Sequence, residues 1–181
     1  SMNTFPCNTT QINNNISSQS YNLNNANFPS WSSQGFPALD YMLYGLDSDS
    51  NLILNYYTNI DSSKYLTYLT DVILQMKSNT NLVIEDWQAN KENFITSNGN
   101  TASSSLNILT NDFIYYYEKG LRANKIGIPC GVWNGFQIYE IGVEAYYRKD
   151  ISKQLAIEAL NACKNFFIGK GTNSIAGFSY N

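Results

Sequence analysis

The sequence predicts an all-α fold, a helical bundle with long loops. Three long stretches carry apolar residues every third or fourth position, the spacing that gives a helix one greasy face. A turn with Gly99 separates the first two of these stretches, and Gly169 stops the last. No repeat of fixed period is visible, which excludes a solenoid. With 181 residues and 43% hydrophobic content, the chain suits a single domain over residues 1–181 with a core of its own.

Residues 1–34 are rich in Asn and Ser and are expected as a loop-rich segment. Within it, Gln11 to Ser17 can form a short helix with Ile12 and Ile16 four apart, and Phe28 and Trp31 are candidate anchors. The next helix starts at Pro37, because a ring without an N–H suits the first helical position, and it stops at Gly45. Asn51 to Tyr57 makes another short helix. The longest element runs from about Ser62 to Ala89, where Asp61 or Ser62 can cap the open amides. Its stripe is Tyr65, Leu66, Leu69, Val72, Ile73, Met76, Val83 and Trp87. Ser103 to Asn124 follows, with Leu106, Leu109, Phe113, Tyr116, Tyr117 and Leu121 on one face. Pro129, between Gly127 and Gly131, breaks the pattern. Phe136 to Ile141 alternates and is expected as a short strand or half of a small β-hairpin. The last helix spans about Ile151 to Ile168, capped by Asp150 and stopped by Gly169.

Composition removes several classes of function. Charged residues make up only 14% of the chain, and the net charge of −3 leaves no basic stripe for nucleic acid or an anionic membrane. There is no histidine, so the commonest metal ligand and the usual general base at neutral pH are missing. A zinc hydrolase of the H-E-x-x-H type is excluded for this chain alone. Cys7, Cys130 and Cys163 lie far apart and form no C-x-x-C pair; they read as small buried hydrophobes, with one disulfide and a free thiol as the alternative. Neither a G-x-S-x-G elbow nor a P-loop occurs. No secretion signal and no 18-residue apolar run is present; the Ser1-Met2 start suggests a cloning remnant, with an export signal removed.

Gly35-Phe36-Pro37-Ala38-Leu39-Asp40, followed by Tyr41 to Leu46, resembles the G-x-H-x-x-E signature of the imelysin-like family, also known as peptidase family M75. The glycine stands, Pro37 replaces the histidine, and Asp40 replaces the glutamate. Four further stretches resemble the family in order. These are Thr4 to Tyr21, Ala102 to Glu118, the Lys-Ile-Gly-Ile-Pro-Cys-Gly loop at Lys125 to Gly131, and Val-Glu-Ala-Tyr-Tyr at Val143 to Tyr147. The first is similar to lipoproteins of the Bacteroidetes type.

The resemblance implies a two-bundle fold of about twice this length, with a functional site between the bundles. This chain resembles the second half, so the other half is expected elsewhere. It also implies an extracytoplasmic protein of the bacterial envelope, in the periplasm, on the outer membrane or at the cell surface. Attachment would be through a lipid anchor, and the association is with iron uptake. No cofactor is expected in this chain, though iron or another metal could sit in the full-length protein.

The candidate binding residues are Gly35, Pro37, Asp40, Tyr41, Glu144, Tyr147 and Arg148. Asp40 could bind a cation or hold a partner helix; its plainer role is a negative charge near the start of its own helix. A His–Glu pair three apart lies on one helix face as a metal pair requires, and Pro37 cannot supply it. Glu144 and Arg148, if helical, are four apart and could pair, with Tyr146 and Tyr147 alongside. The leading expectation is a non-enzymatic protein that binds a ligand or an envelope partner in a groove between bundles. The rivals are a metallopeptidase that borrows its ligands from a missing half, and a structural surface protein that only docks a partner.

Overall fold

A computed structural model describes residues 2–24, 28–133 and 135–171. Seven α-helices follow in order among these: α1 (Thr9–Ser18), α2 (Phe28–Trp31), α3 (Gly35–Tyr44), α4 (Ser50–Tyr56), α5 (Ser62–Thr96), α6 (Ser105–Tyr115) and α7 (Lys149–Phe167). The expected all-α class holds. Beyond α6 the chain continues as a wider π-helix over Tyr116–Gly127, and a single 3₁₀ turn covers Glu140–Gly142.

The chain divides into two compact units. The first holds Ser1–Lys91 and Val143–Lys149; the second holds Glu92–Gly142 and Asp150–Asn181. The core of the first is Ile12, Ile16, Leu23, Ala38, Tyr41, Met42, Tyr68 and Val72, drawn from α1, α3 and α5. Ile12 and Ile16 meet it because they stand one turn apart on α1, whose first amides are capped by the Asn8 side chain on the Gln11 N–H. Tyr68 is fully buried, yet its hydroxyl is satisfied. It donates to the Ser33 carbonyl at 2.5 Å and accepts from Asn15 Nδ2 at 3.3 Å. One phenol thereby ties α1, α5 and the turn before α3 together. The Tyr21 ring meets Tyr68 edge-on at 5.0 Å, and its own hydroxyl donates to Asp71 Oδ2 at 2.7 Å.

The second unit buries far less. Leu121, Pro129 and Cys163 are its only buried apolar side chains among the described residues, and no residue of α6 is buried. Phe113 stacks on Phe166 at 5.2 Å and on Phe167 at 6.3 Å. The Trp133 ring lies directly on the π-helix backbone at Gly127; a Cβ there would come within 1.6 Å of the indole, so any larger residue must push the ring aside. Arg122 stands 5.3 Å over the same indole and pairs with Glu118 one turn back.

Several expectations are corrected. Phe136 to Ile141 is not a strand, and no strand forms among the described residues. Phe136 takes φ +64° and bonds back to the Gly131 carbonyl, while the Tyr139 N–H reaches Pro129, so the chain coils instead of extending. The stripe of α5 is buried only in its first half; every residue from Thr80 to Asn93 is exposed. The stripe expected for α6 is likewise uncovered at Leu106, Tyr116 and Tyr117. All three cysteines are free, and Cys130 is exposed rather than buried. Trp31 is partly exposed, and the Phe28 side chain lies outside the described residues, as does the Gly177 to Asn181 tail. Gly169, at φ +67°, ends α7 as expected.

Candidate functional site

The start of α3 explains how its residues are placed. Gly35 sits at φ +74°, a backbone region that side chains rarely adopt. A Cβ on it would stand 2.3 Å from the Met2 carbonyl oxygen, which also accepts the Phe36 N–H at 2.9 Å. Pro37 and Ala38 turn inward and are fully buried. Phe36, Asp40, Leu43 and Tyr44 recur at i, i+4, i+7 and i+8, so they share the other face. Phe36, Leu43 and Tyr44 are exposed, and Asp40 is half-buried.

Asp40 is a clasp. Its Oδ2 accepts the backbone N–H of Tyr147 at 2.9 Å, and Oδ1 accepts that of Arg148 at 3.0 Å. These are the two amides just ahead of α7. The carboxylate therefore fixes the 143–148 segment rather than capping its own helix. Burial pushes its pKa above the ordinary value, and this outweighs the two amide bonds and the Arg148 charge that pull it down.

The clasp gathers four of the seven sequence candidates. The Tyr41 ring packs on Tyr147 at 5.2 Å, and its hydroxyl exchanges hydrogen bonds with the Asn13 amide at 3.0 and 3.2 Å. Arg148 donates from Nη1 to the Tyr44 hydroxyl at 3.0 Å, with its guanidinium 5.1 Å over that ring. Tyr147 also meets Tyr146 edge-on at 5.0 Å, and the Lys149 ammonium lies 5.1 Å over Tyr146. Gly35 and Glu144 join through the N-terminal segment, because Glu144 Oε1 accepts from Asn3 Nδ2 at 2.8 Å, one residue past the Met2 carbonyl. Pro37 contributes shape alone.

The helical Glu144–Arg148 spacing is corrected. Residues 143–148 are not a helix, and Ala145 sits at φ +54°, so the two side chains do not lie one turn apart. Sequence reasoning also missed Tyr44, Asn3, Asn13 and Cys7. Tyr44 stands one turn after Asp40, a spacing that could have flagged it. The others come from distant segments and gave no signal. Cys7 is partly buried beside this cluster; burial, with the Asp40 charge second, pushes its thiol up to about 12. Burial likewise lifts the Tyr147 hydroxyl to about 12. The side-chain oxygen of Gln34, at the start of α3, is buried with no partner among the described residues.

These residues do not fit a catalytic metal. Among the described residues no three of His, Cys, Asp and Glu stand close enough to hold an ion, and both Asp40 oxygens already accept amides. What the arrangement can do is present a rigid mixed surface of Phe36, Leu43, Tyr44 and Arg148 on a braced helix.

A G-x-x-x-x-acid turn clasped to a Val-Glu-Ala-Tyr-Tyr segment, in a chain with helices and no strand among the described residues, places the protein in the class of all-α helical bundles. The family model described as Imelysin, peptidase M75, matches residues 1–177, and the chain belongs to that family. No curated protein and no solved structure matches it. No helix among the described residues is long and apolar enough to cross a membrane.

Proposed function

We propose that this chain is a non-enzymatic binding protein of the imelysin family, which holds a ligand or an envelope partner against the exposed face of α3. The observation that carries this reading is the double acceptance by Asp40 of the Tyr147 and Arg148 amides. The acid of the family signature is spent on holding two segments in register, and Pro37 beside it has no donor atom. The signature thereby becomes a brace for a binding face: Phe36 and Tyr44 offer aromatic area, and Arg148 offers a cation at its rim. Family membership supports an extracytoplasmic location, since imelysin proteins are typically found there. A role in iron uptake, from a lipid-anchored position on the periplasmic side or at the cell surface, is the finer form of this proposal. In it the partner would enter a groove between this bundle and another.

Calorimetric titration with ferrous, ferric, cupric and zinc ions tests the metal form of the ligand. The expectation is no site tighter than about millimolar on this chain. A micromolar site lost in Asp40→Asn would overturn the reading. The family's peptidase name favours a second reading, a metallopeptidase with ligands outside these residues. Incubation with casein, with and without chelator, separates the two: chelator-sensitive cleavage supports the peptidase, and intact casein supports the binding protein.

A further inference from the structure

The π-helix at Tyr116–Gly127 runs for 12 residues, in a geometry that normally occurs as a single turn and often marks a functional site. Its pattern continues past its end, because the Ile128 N–H reaches the Ala123 carbonyl and the Val132 N–H reaches the Gly127 carbonyl, each at 2.8 Å and five residues back. These bonds curl residues 128–133 back over the helix and set the Trp133 indole against Gly127. The wide turn also brings residues four and five apart to one side, so Glu118, Arg122 and Ala123 share a face, with Lys119 next to them. Between that face and the returning chain lies an open cavity of about 350 Å³, lined by Glu118, Lys119, Arg122, Ala123, Ile128 and Trp133. All six belong to the second unit. Ligand pockets run from roughly 300 to 1,000 Å³, so this one suits a small molecule.

The lining selects the chemistry of the ligand. Ala123, Ile128 and the half-exposed Trp133 give an apolar and aromatic wall, which favours a flat apolar body. Two cations and one carboxylate complete it, a net positive site on a chain whose net charge is −3. Glu118 does not use up the cations. Arg122 contacts one oxygen alone, Oε2, from Nε at 2.7 Å and from Nη2 at 2.5 Å, which leaves Nη1 to donate. Lys119 forms no ion pair among the described residues. An anionic group would meet an ammonium and a guanidinium N–H at the rim while the body of the ligand rests on Trp133 and Ile128.

We infer that this cavity binds a small organic anion, a carboxylate with a flat apolar body, at a site separate from the α3 face. Cinnamate is the probe, and the backbone amide signals of Glu118 to Trp133 in an NMR titration of the full chain read its binding. The expected dissociation constant is about 0.1–1 mM, since a probe this small makes few contacts. Cinnamamide, its uncharged counterpart, should bind at least about fivefold more weakly. Trp133→Leu should weaken cinnamate binding by about tenfold and Lys119→Gln by about three- to fivefold, with helicity unchanged by circular dichroism. Glu118→Gln should tighten it by about two- to threefold, because it removes the competing charge while its amide oxygen still accepts from Arg122. Misfolding would not produce such a gain. The absence of any amide shift up to about 10 mM cinnamate would overturn the inference. Equal binding of cinnamamide, indifference to both Trp133→Leu and Lys119→Gln, or weaker binding in Glu118→Gln would do the same.

Discussion

The first unit closes a core around a fully buried tyrosine, whereas the second leaves its aromatic residues at the rim. Tyr68 is sealed and doubly hydrogen-bonded, while Phe113 rests against two rings that are themselves about 40% exposed. Both come from helices with equally regular apolar stripes. Periodicity shows which face of a helix can be buried, but it does not show how much surrounding chain there is to bury it. The first unit recruits three helices and the N-terminal segment for that task. Most side chains brought together at the clasp belong to the same well-packed half, so the proposed binding face stands on the stable part of the molecule.

The sharpest way to break this contrast is a matched pair of truncations. Tyr68→Ala should cost about 3–5 kcal/mol, because a large cavity opens and the Ser33 and Asn15 groups lose their partner. Phe113→Ala should cost about 1–2 kcal/mol, since its ring is only partly covered. Urea unfolding of both variants measures the difference, and equal losses would erase the distinction between the units. Next in size is Asp40→Ala. Losing two charge-assisted bonds to backbone amides should lower stability by about 2–3 kcal/mol, read by faster amide hydrogen exchange at Tyr147 and Arg148. An unchanged exchange rate there would remove the clasp.

Alkaline pH should weaken the first unit. Cys7 is raised from 9.0 to about 12, and Tyr57 and Tyr147 are raised from 10.0 to about 12, each mainly by burial. Their neutral forms are favoured in the folded state. The stability they contribute is fully present below pH 9 and is lost as the pH climbs from about 9 towards 12, as these groups ionise more readily in the unfolded chain. A thermal melting series between pH 8 and 11 should show a steady fall in Tm. Serine at position 7 should flatten the early part of that fall. The smallest effect belongs to the second unit. Gly127→Ala displaces the Trp133 indole from the π-helix and weakens its contact with Arg122, for a loss of about 1 kcal/mol or less and a change in tryptophan emission.

Much of the helical architecture was legible in the chain. The ends of α3 and α7 followed from Gly45 and Gly169, but their starts did not: α3 begins at Gly35, two residues ahead of Pro37, and α7 begins at Lys149, which puts Asp150 inside its first turn rather than at the cap. Asp40, Tyr41, Tyr147 and Arg148 were named together from two short motifs, and they do meet in space. Their manner of meeting was not legible. A carboxylate gripping amides 107 and 108 residues away leaves no local pattern, and Asn3, Asn13 and Cys7 arrive by tertiary packing alone. Alternation at Phe136 to Ile141 misled because two positive-φ residues, Gly135 and Phe136, turn the chain before a strand can begin.

The sealed position of Pro37 has a practical consequence for protein engineering. Writing His back into position 37 would not by itself recreate a metal-binding pair. The new imidazole would take a fully buried position, and its intended mate three residues on is already committed elsewhere. A designer seeking to restore such a centre would first have to liberate that carboxylate by rebuilding the 143–148 segment, and would lose the brace in doing so.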